Sequence, residues 1–139
     1  MNDIVDRETR SRMMAGIKGK NTGPELMLRR LLHQAGFRYR IHPKNLPGKP
    51  DIVLPRYRAA VFVHGCFWHR HPGCRYSTVP SSNTEFWNAK FAANVTRDAK
   101  KERALIAAGW RVAVVWECEL KRDAVGLTAS VVNWLVSRP

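Results

Sequence analysis

The stretch VFVHGCFWHRHPGC, residues 61–74, packs three of the chain's five histidines and two of its three cysteines into fourteen positions. It starts as an apolar strand and ends in a proline–glycine turn, so the fold must bury a strand and leave a ligand-rich loop at its end. Cys66, His71 and Cys74 lie in that loop, and Cys118 follows a second apolar run, RVAVVWE. Three thiolates and one imidazole are a common set for closed tetrahedral zinc. Buried cysteines also pack as small apolar groups, and for Cys118 alone that is the simpler reading. For Cys66 and Cys74 it is weak, because a loop containing proline and glycine offers little apolar surrounding. Zinc there would tie the loop to the end of a distant strand and make it a rigid platform.

The rest of the chain supplies elements for one domain, residues 1–139, with no repeat and no linker long enough to divide it. Residues 6–18 read as a helix whose Met13, Met14 and Ile17 sit among basic residues without a broad apolar face, a helix suited to meeting a partner. A second helix opens at Pro24, directs Leu28, Leu31, Leu32 and Ala35 to a core, and closes at Gly36. FRYRI alternates Phe37, Tyr39 and Ile41 with arginines, the period of a strand with one wet face. DIVL and AAVFVH read as two further strands, the second apolar throughout as a central strand is. A long helix is expected from about Thr84 to Ala108, then the strand RVAVVW and a last helix over AVGLTASVVNWLV. The class is α/β.

Lysine and arginine number 24 against 11 acidic residues, a formal charge of +13, so the natural partner is a polyanion. Lipidation and amphipathic signals are absent, no 18-residue apolar run occurs, and MNDIVDRETRSRMM lacks the apolar centre of a signal peptide. Nucleic acid is therefore favoured over a membrane, and the cytoplasm is the expected compartment. Thiols are reduced there, which argues against a disulfide framework.

Against that background other side chains gain weight. Phe67 and Trp68 are expected to protrude from the ligand loop, either as an intercalating wedge or, on the plainer reading, as core. Asp51 opens a strand in LPGKPDIVL near the histidine cluster, and its carboxylate could hold a hard cation such as magnesium. Trp87, Lys90, Asn94 and Asp98 form one stripe of the long helix. A solvated face is the usual meaning of such a stripe, but this mixture also suits base stacking, phosphate or base contact, and a metal environment. Spacing alone gives Glu25 no role beyond complementing a helix N-terminus.

PGKPD, VFVHGCFWHRHPGC, TEFW, NVTRD and GWRVAVVWEC together resemble the very-short-patch repair (Vsr) DNA mismatch endonucleases, over most of the chain from TRSRMM to Cys118. The resemblance implies a restriction-endonuclease-like core of the PD-(D/E)XK type, a central mixed sheet flanked by helices with a structural zinc loop. It implies magnesium-dependent nicking, with two ions, on the 5′ side of the thymine in a T·G mismatch left by deamination of 5-methylcytosine. Asp51 then matches the direct magnesium ligand and His69 the group that activates the attacking water, with His64, Asp98 and Glu25 holding waters around the metal. Cys66, His71, Cys74 and Cys118 match the zinc set. Phe67, Trp68 and Trp87 match an aromatic wedge in the major groove, Met14 and Ile17 a minor-groove insertion, and Lys90 with Asn94 the mismatch readers.

Two departures stand out. Val63 occupies a position where the family commonly has threonine, and HRHPGC is less histidine-rich than the usual loop. An asymmetric lesion gives no reason for two-fold symmetry, so a monomer is expected. Two other functions fit part of the pattern: a zinc-stabilised DNA-binding module without catalysis, and a nuclease of similar core acting on other DNA structures. Binding alone needs none of Asp51, His69 or Asp98.

Overall fold

The computed structural model describes residues 22–137, and the helix expected over residues 6–18, with Met14 and Ile17, lies outside them. The described residues form an α/β structure in which a four-stranded sheet runs in the order β1-β2-β3-β4. Helix α1, Gly23–Gln34, starts at the Thr22 cap, whose Oγ1 accepts from the Glu25 N–H, with proline in its first turn. Strands β1 (Arg40–Ile41), β2 (Ile52–Leu54) and β3 (Ala59–His64) pair antiparallel in sequence. The one-turn helix α2 (Cys66–His69) and the long helix α3 (Thr84–Ala107) follow. The chain then crosses to β4 (Arg111–Trp116), parallel to β3, and finishes in α4, Glu117–Val136.

Strand alternation divides the core. Ala59 and Val61 join Leu28 and Leu32 of α1 and Leu120, Val131 and Leu135 of α4 on one face. Ala60 and Phe62 meet Leu105 of α3 on the other. β3 lies between two partners and is buried almost throughout, as its unbroken apolar run requires.

Local expectations fail where an element ends or bends. Ala35 is exposed because it caps α1 instead of belonging to its core stripe. FRYRI yields only the two strand residues Arg40 and Ile41, and Ile41 is 43% exposed on the sheet edge, while Phe37 and Tyr39 do pack on the core. The ligand loop contains a helical turn over Cys66–His69. The last helix begins seven residues early, at Glu117, because Asp123 leaves helical geometry (φ −158, ψ 80) and its Oδ1 caps a second half by accepting from the Gly126 N–H at 2.9 Å. Only that second half was legible as AVGLTASVVNWLV.

Candidate active site and metal centre

Two strand ends build the thiol centre. Because β3 and β4 are parallel with His64 opposite Trp116, the residues two positions on, Cys66 and Cys118, emerge side by side. The turn after α2 brings His71 and Cys74 back to them. His71 Nδ1 lies 3.7 Å from Cys66 Sγ and 3.4 Å from Cys118 Sγ, and donor atoms of all four residues fall within 4.8 Å of one another. Burial pushes the Cys66 thiol up to about 12, whereas the backbone N–H of Tyr76 lowers Cys74. A metal here must therefore displace a firmly held proton at Cys66. The Ser77 hydroxyl, 2.9 Å from the carbonyls of Cys66 and His71, closes the loop.

A second group forms beside the first on the α3 face of the sheet. His64, at the end of β3, is buried and stacks on His69 with ring centroids 3.9 Å apart. His69 Nδ1 is 2.7 Å from Asp98 Oδ2, so Asp98 is tied to an imidazole directly and orients it. Burial and the neighbouring His69 lower His64 to about 3, which keeps it neutral at physiological pH. Trp116 is the wall shared by both centres: His71 stacks on it at 4.3 Å and His64 meets its ring at 5.2 Å.

A third group lies at the start of β2. Asp51 Oδ2 accepts from the Val63 N–H at 2.7 Å, a bond that needs only the Val63 backbone. Burial, with a smaller push from adjacent Glu25, raises Asp51 to about 6 against that hydrogen bond. Glu25 is itself buried, with Arg29 Nη2 at 3.3 Å and His42 Nε2 at 3.0 Å from its Oε2. Donor atoms of Glu25, His42 and Asp51 lie within 4.8 Å of one another. The chemistry of that donor set fits a divalent cation.

Asp51, Glu25, His64, His69, Trp87, Lys90, Asn94 and Asp98 all line one open cavity of about 700 Å³. The stripe on α3 is thus a cavity wall, not a solvated face. Asn94 Nδ2 donates to the Trp68 carbonyl at 3.1 Å, and its Oδ1 accepts from Arg97 at 3.3 Å. The expectation that Trp68 protrudes is corrected: it is 8% exposed, and Phe67 is half-buried. Both turn inward because α2 packs its aromatic side on α3, where Phe67 meets Phe91 at 5.2 Å and Trp68 meets Trp87 at 5.9 Å. Arg70 locks the arrangement, donating to the carbonyls of Phe67, Ser77 and Thr78 with its guanidinium 3.9 Å over the Phe91 ring.

Sequence reasoning missed His42, Arg29, Arg70 and Trp116. Arg70 and Trp116 stand inside the motifs HRHPGC and GWRVAVVWEC, but the carbonyls and rings they meet are brought to them only by the fold. His42 had no local signal, because its contact depends on β-register.

The sequence profile of the family described as DNA mismatch endonuclease Vsr matches residues 2–75. The chain is 51% identical to the type II nicking enzyme V.XorIIP of Xanthomonas oryzae pv. oryzae, over 97% of this chain and 98% of the relative. It is 48% identical to the type II nicking enzyme V.NmeAIP of Neisseria meningitidis, over 90% and 89%. With the DNA mismatch endonuclease Vsr of Escherichia coli K12 it shares 44% identity over 97% of this chain and 88% of the relative.

Proposed function

This chain belongs to the Vsr family of DNA mismatch endonucleases, and we propose that it nicks one strand of duplex DNA on the 5′ side of the thymine in a T·G mismatch. It is an endonuclease, so the reading as a binding module without catalysis falls away. The observation that carries the proposal is the single cavity into which the carboxylates, the His69–Asp98 pair and the Trp87–Lys90–Asn94 wall all open.

Asp51 would hold magnesium directly, with Glu25 beside it to hold water on the ion. A bound cation of that kind stabilises charge on the attacking and leaving oxygens of a phosphodiester, most fully when two ions share the work. The protein's own groups supply the rest. With Nδ1 committed to Asp98, His69 presents Nε2 to take a proton from the attacking water. Neutral His64, stacked on that ring, holds its plane, and with Glu25 it offers partners for ordered water. Cys66, His71, Cys74 and Cys118 would hold zinc and fix the loop carrying these histidines. Phe67, Trp68 and Trp87 form the aromatic surface set against the duplex, with Trp68 as its buried support, and Lys90 and Asn94 contact the mismatch. Met14 and Ile17 keep their assignment to the minor groove on sequence grounds alone. We assign the whole chain to one PD-(D/E)XK-type domain acting as a cytoplasmic monomer.

The test is nicking of T·G, other mismatched and fully paired duplexes, with magnesium supplied or omitted. Selective magnesium-dependent nicking beside the T of T·G is expected. His69→Ala should lower the rate by about 10²–10⁴-fold with mismatch binding kept. Equal cleavage of all duplexes would favour a nuclease for other DNA structures.

A further inference from the structure

His42 stands in the donor set with Glu25 and Asp51, but the proposed function gives it no role. It follows β1, and its backbone lies in the left-handed region at φ 44, a conformation that costs a non-glycine residue energy and persists where the surroundings impose it. The neighbouring strand imposes it here. The His42 N–H donates to the Asp51 carbonyl at 3.4 Å, which extends the β1–β2 ladder one step beyond the Ile41–Ile52 pair. That step carries the imidazole to the same end of the sheet as the carboxylates. His42 Nε2 then lies 3.0 Å from Glu25 Oε2, with the two side chains 12% and 3% exposed.

Such spacing suits a shared cation. Donors about 2.1 Å from one ion lie about 3 Å apart when adjacent in an octahedron and about 4.2 Å apart when opposite. One donor atom from each of His42, Glu25 and Asp51 falls within 4.8 Å of the other two, close to that range before any ion draws them together. We infer that His42 and Glu25 join Asp51 as direct protein ligands, making a nitrogen–oxygen–oxygen site that takes a first-row transition cation in preference to magnesium. Magnesium favours oxygen donors and gives up its waters reluctantly, whereas an imidazole nitrogen adds affinity for transition ions. On binding, the cation replaces the proton between His42 and Glu25, and that proton leaves to solvent. The inference rests on the reading of Asp51 as a metal residue.

Manganese is the probe, because it suits thiolates poorly and leaves the cysteine centre loaded with zinc. Titration of the zinc-loaded protein without DNA, followed by the loss of the free-ion paramagnetic resonance signal and by competition with magnesium, gives both affinities. Wild type should bind manganese at least about tenfold tighter than magnesium, and His42→Asn should lose about 10- to 100-fold of the manganese affinity with little change for magnesium. Pulsed resonance on bound manganese should detect imidazole nitrogen in wild type and none in His42→Asn. Absence of nitrogen coupling in wild type, or its persistence in the variant, overturns the inference without any reliance on activity. Asp51→Asn separates the two readings. If it abolishes binding while His42→Asn leaves the preference unchanged, His42 is no ligand and the Asp51 assignment stands. If Asp51→Asn leaves binding intact, both readings fall.

Discussion

Asp51 sits at about 6 and His64 at about 3 for the same leading cause, removal from water, which disfavours whichever form is charged. The consequences for stability are opposite. Between 3.8 and about 6 the folded chain holds a proton on Asp51 that the unfolded chain has lost, so acid stabilises and rising pH removes that contribution. Between 6.5 and about 3 the unfolded chain holds a proton on His64 that the folded chain refuses, so acid destabilises. Over the interval they share the two slopes cancel. In magnesium-free buffer, Asp51→Asn should remove the compensation, adding up to about 1.4 kcal/mol per pH unit to the loss of stability on acidification. Urea unfolding of both proteins between about pH 4 and 6 measures the difference, and parallel curves would mean that Asp51 ionises as an ordinary carboxylate. Asp51 and His64 could be picked out in the sequence because a strand end is a recognisable address. Their charge states could not, since these depend first on burial by the fold and then on Glu25 and His69 arriving from other elements.

Helix α2 is one turn long and cannot hold itself, so its position comes from what grips it at each end. One grip is the thiol centre, where Cys66 of α2 meets Cys118 of α4. Cys118→Ser should release zinc, lower the melting temperature and mobilise the loop, and metal analysis with thermal unfolding checks both. Zinc retained in a fully stable variant would remove Cys118 from the ligand set. The other grip is aromatic. Trp68→Ala should cost about 3–5 kcal/mol in urea unfolding, the range for emptying a large buried aromatic site, whereas an exposed wedge residue would cost far less. Gly48 provides a third contact between elements: at φ +75, an added Cβ would lie 2.8 Å from Lys101 Cβ of α3. Gly48→Ala should therefore destabilise by about 1–3 kcal/mol and shift the segment that carries Asp51 into β2. The strands β2, β3 and β4 and the helix α3 were legible because their patterns are long or unbroken. The turn of α2, the kink at Asp123 and the short β1 were not, because each is decided by a capping bond or an edge rather than by periodicity.

At the scale of the whole molecule a charge of +13 and a cavity lined with aromatics set different properties of binding. Phosphate contacts act on any duplex: a protein that neutralises about six phosphates loses about 10³-fold in affinity between roughly 50 and 200 mM salt. Lys49, Lys90, Arg97 and Lys101 border the cavity and are placed to contribute. Selection of a mismatch must come from elsewhere, since both duplexes carry the same phosphates. Distorting a base step costs a few kcal/mol, less where pairing is already weak, and stacking on an aromatic side chain returns about 1–3 kcal/mol per base. Trp87, half-buried on the cavity wall, is better placed for that stacking than Trp68. Binding curves for T·G and paired duplexes should therefore weaken in parallel as salt rises, leaving their ratio nearly constant. Trp87→Ala should reduce that ratio by about tenfold or more with the salt slope unchanged. If Trp87→Ala weakens both duplexes equally, the aromatic wall supports the fold and discrimination must be sought elsewhere on the DNA-facing surface.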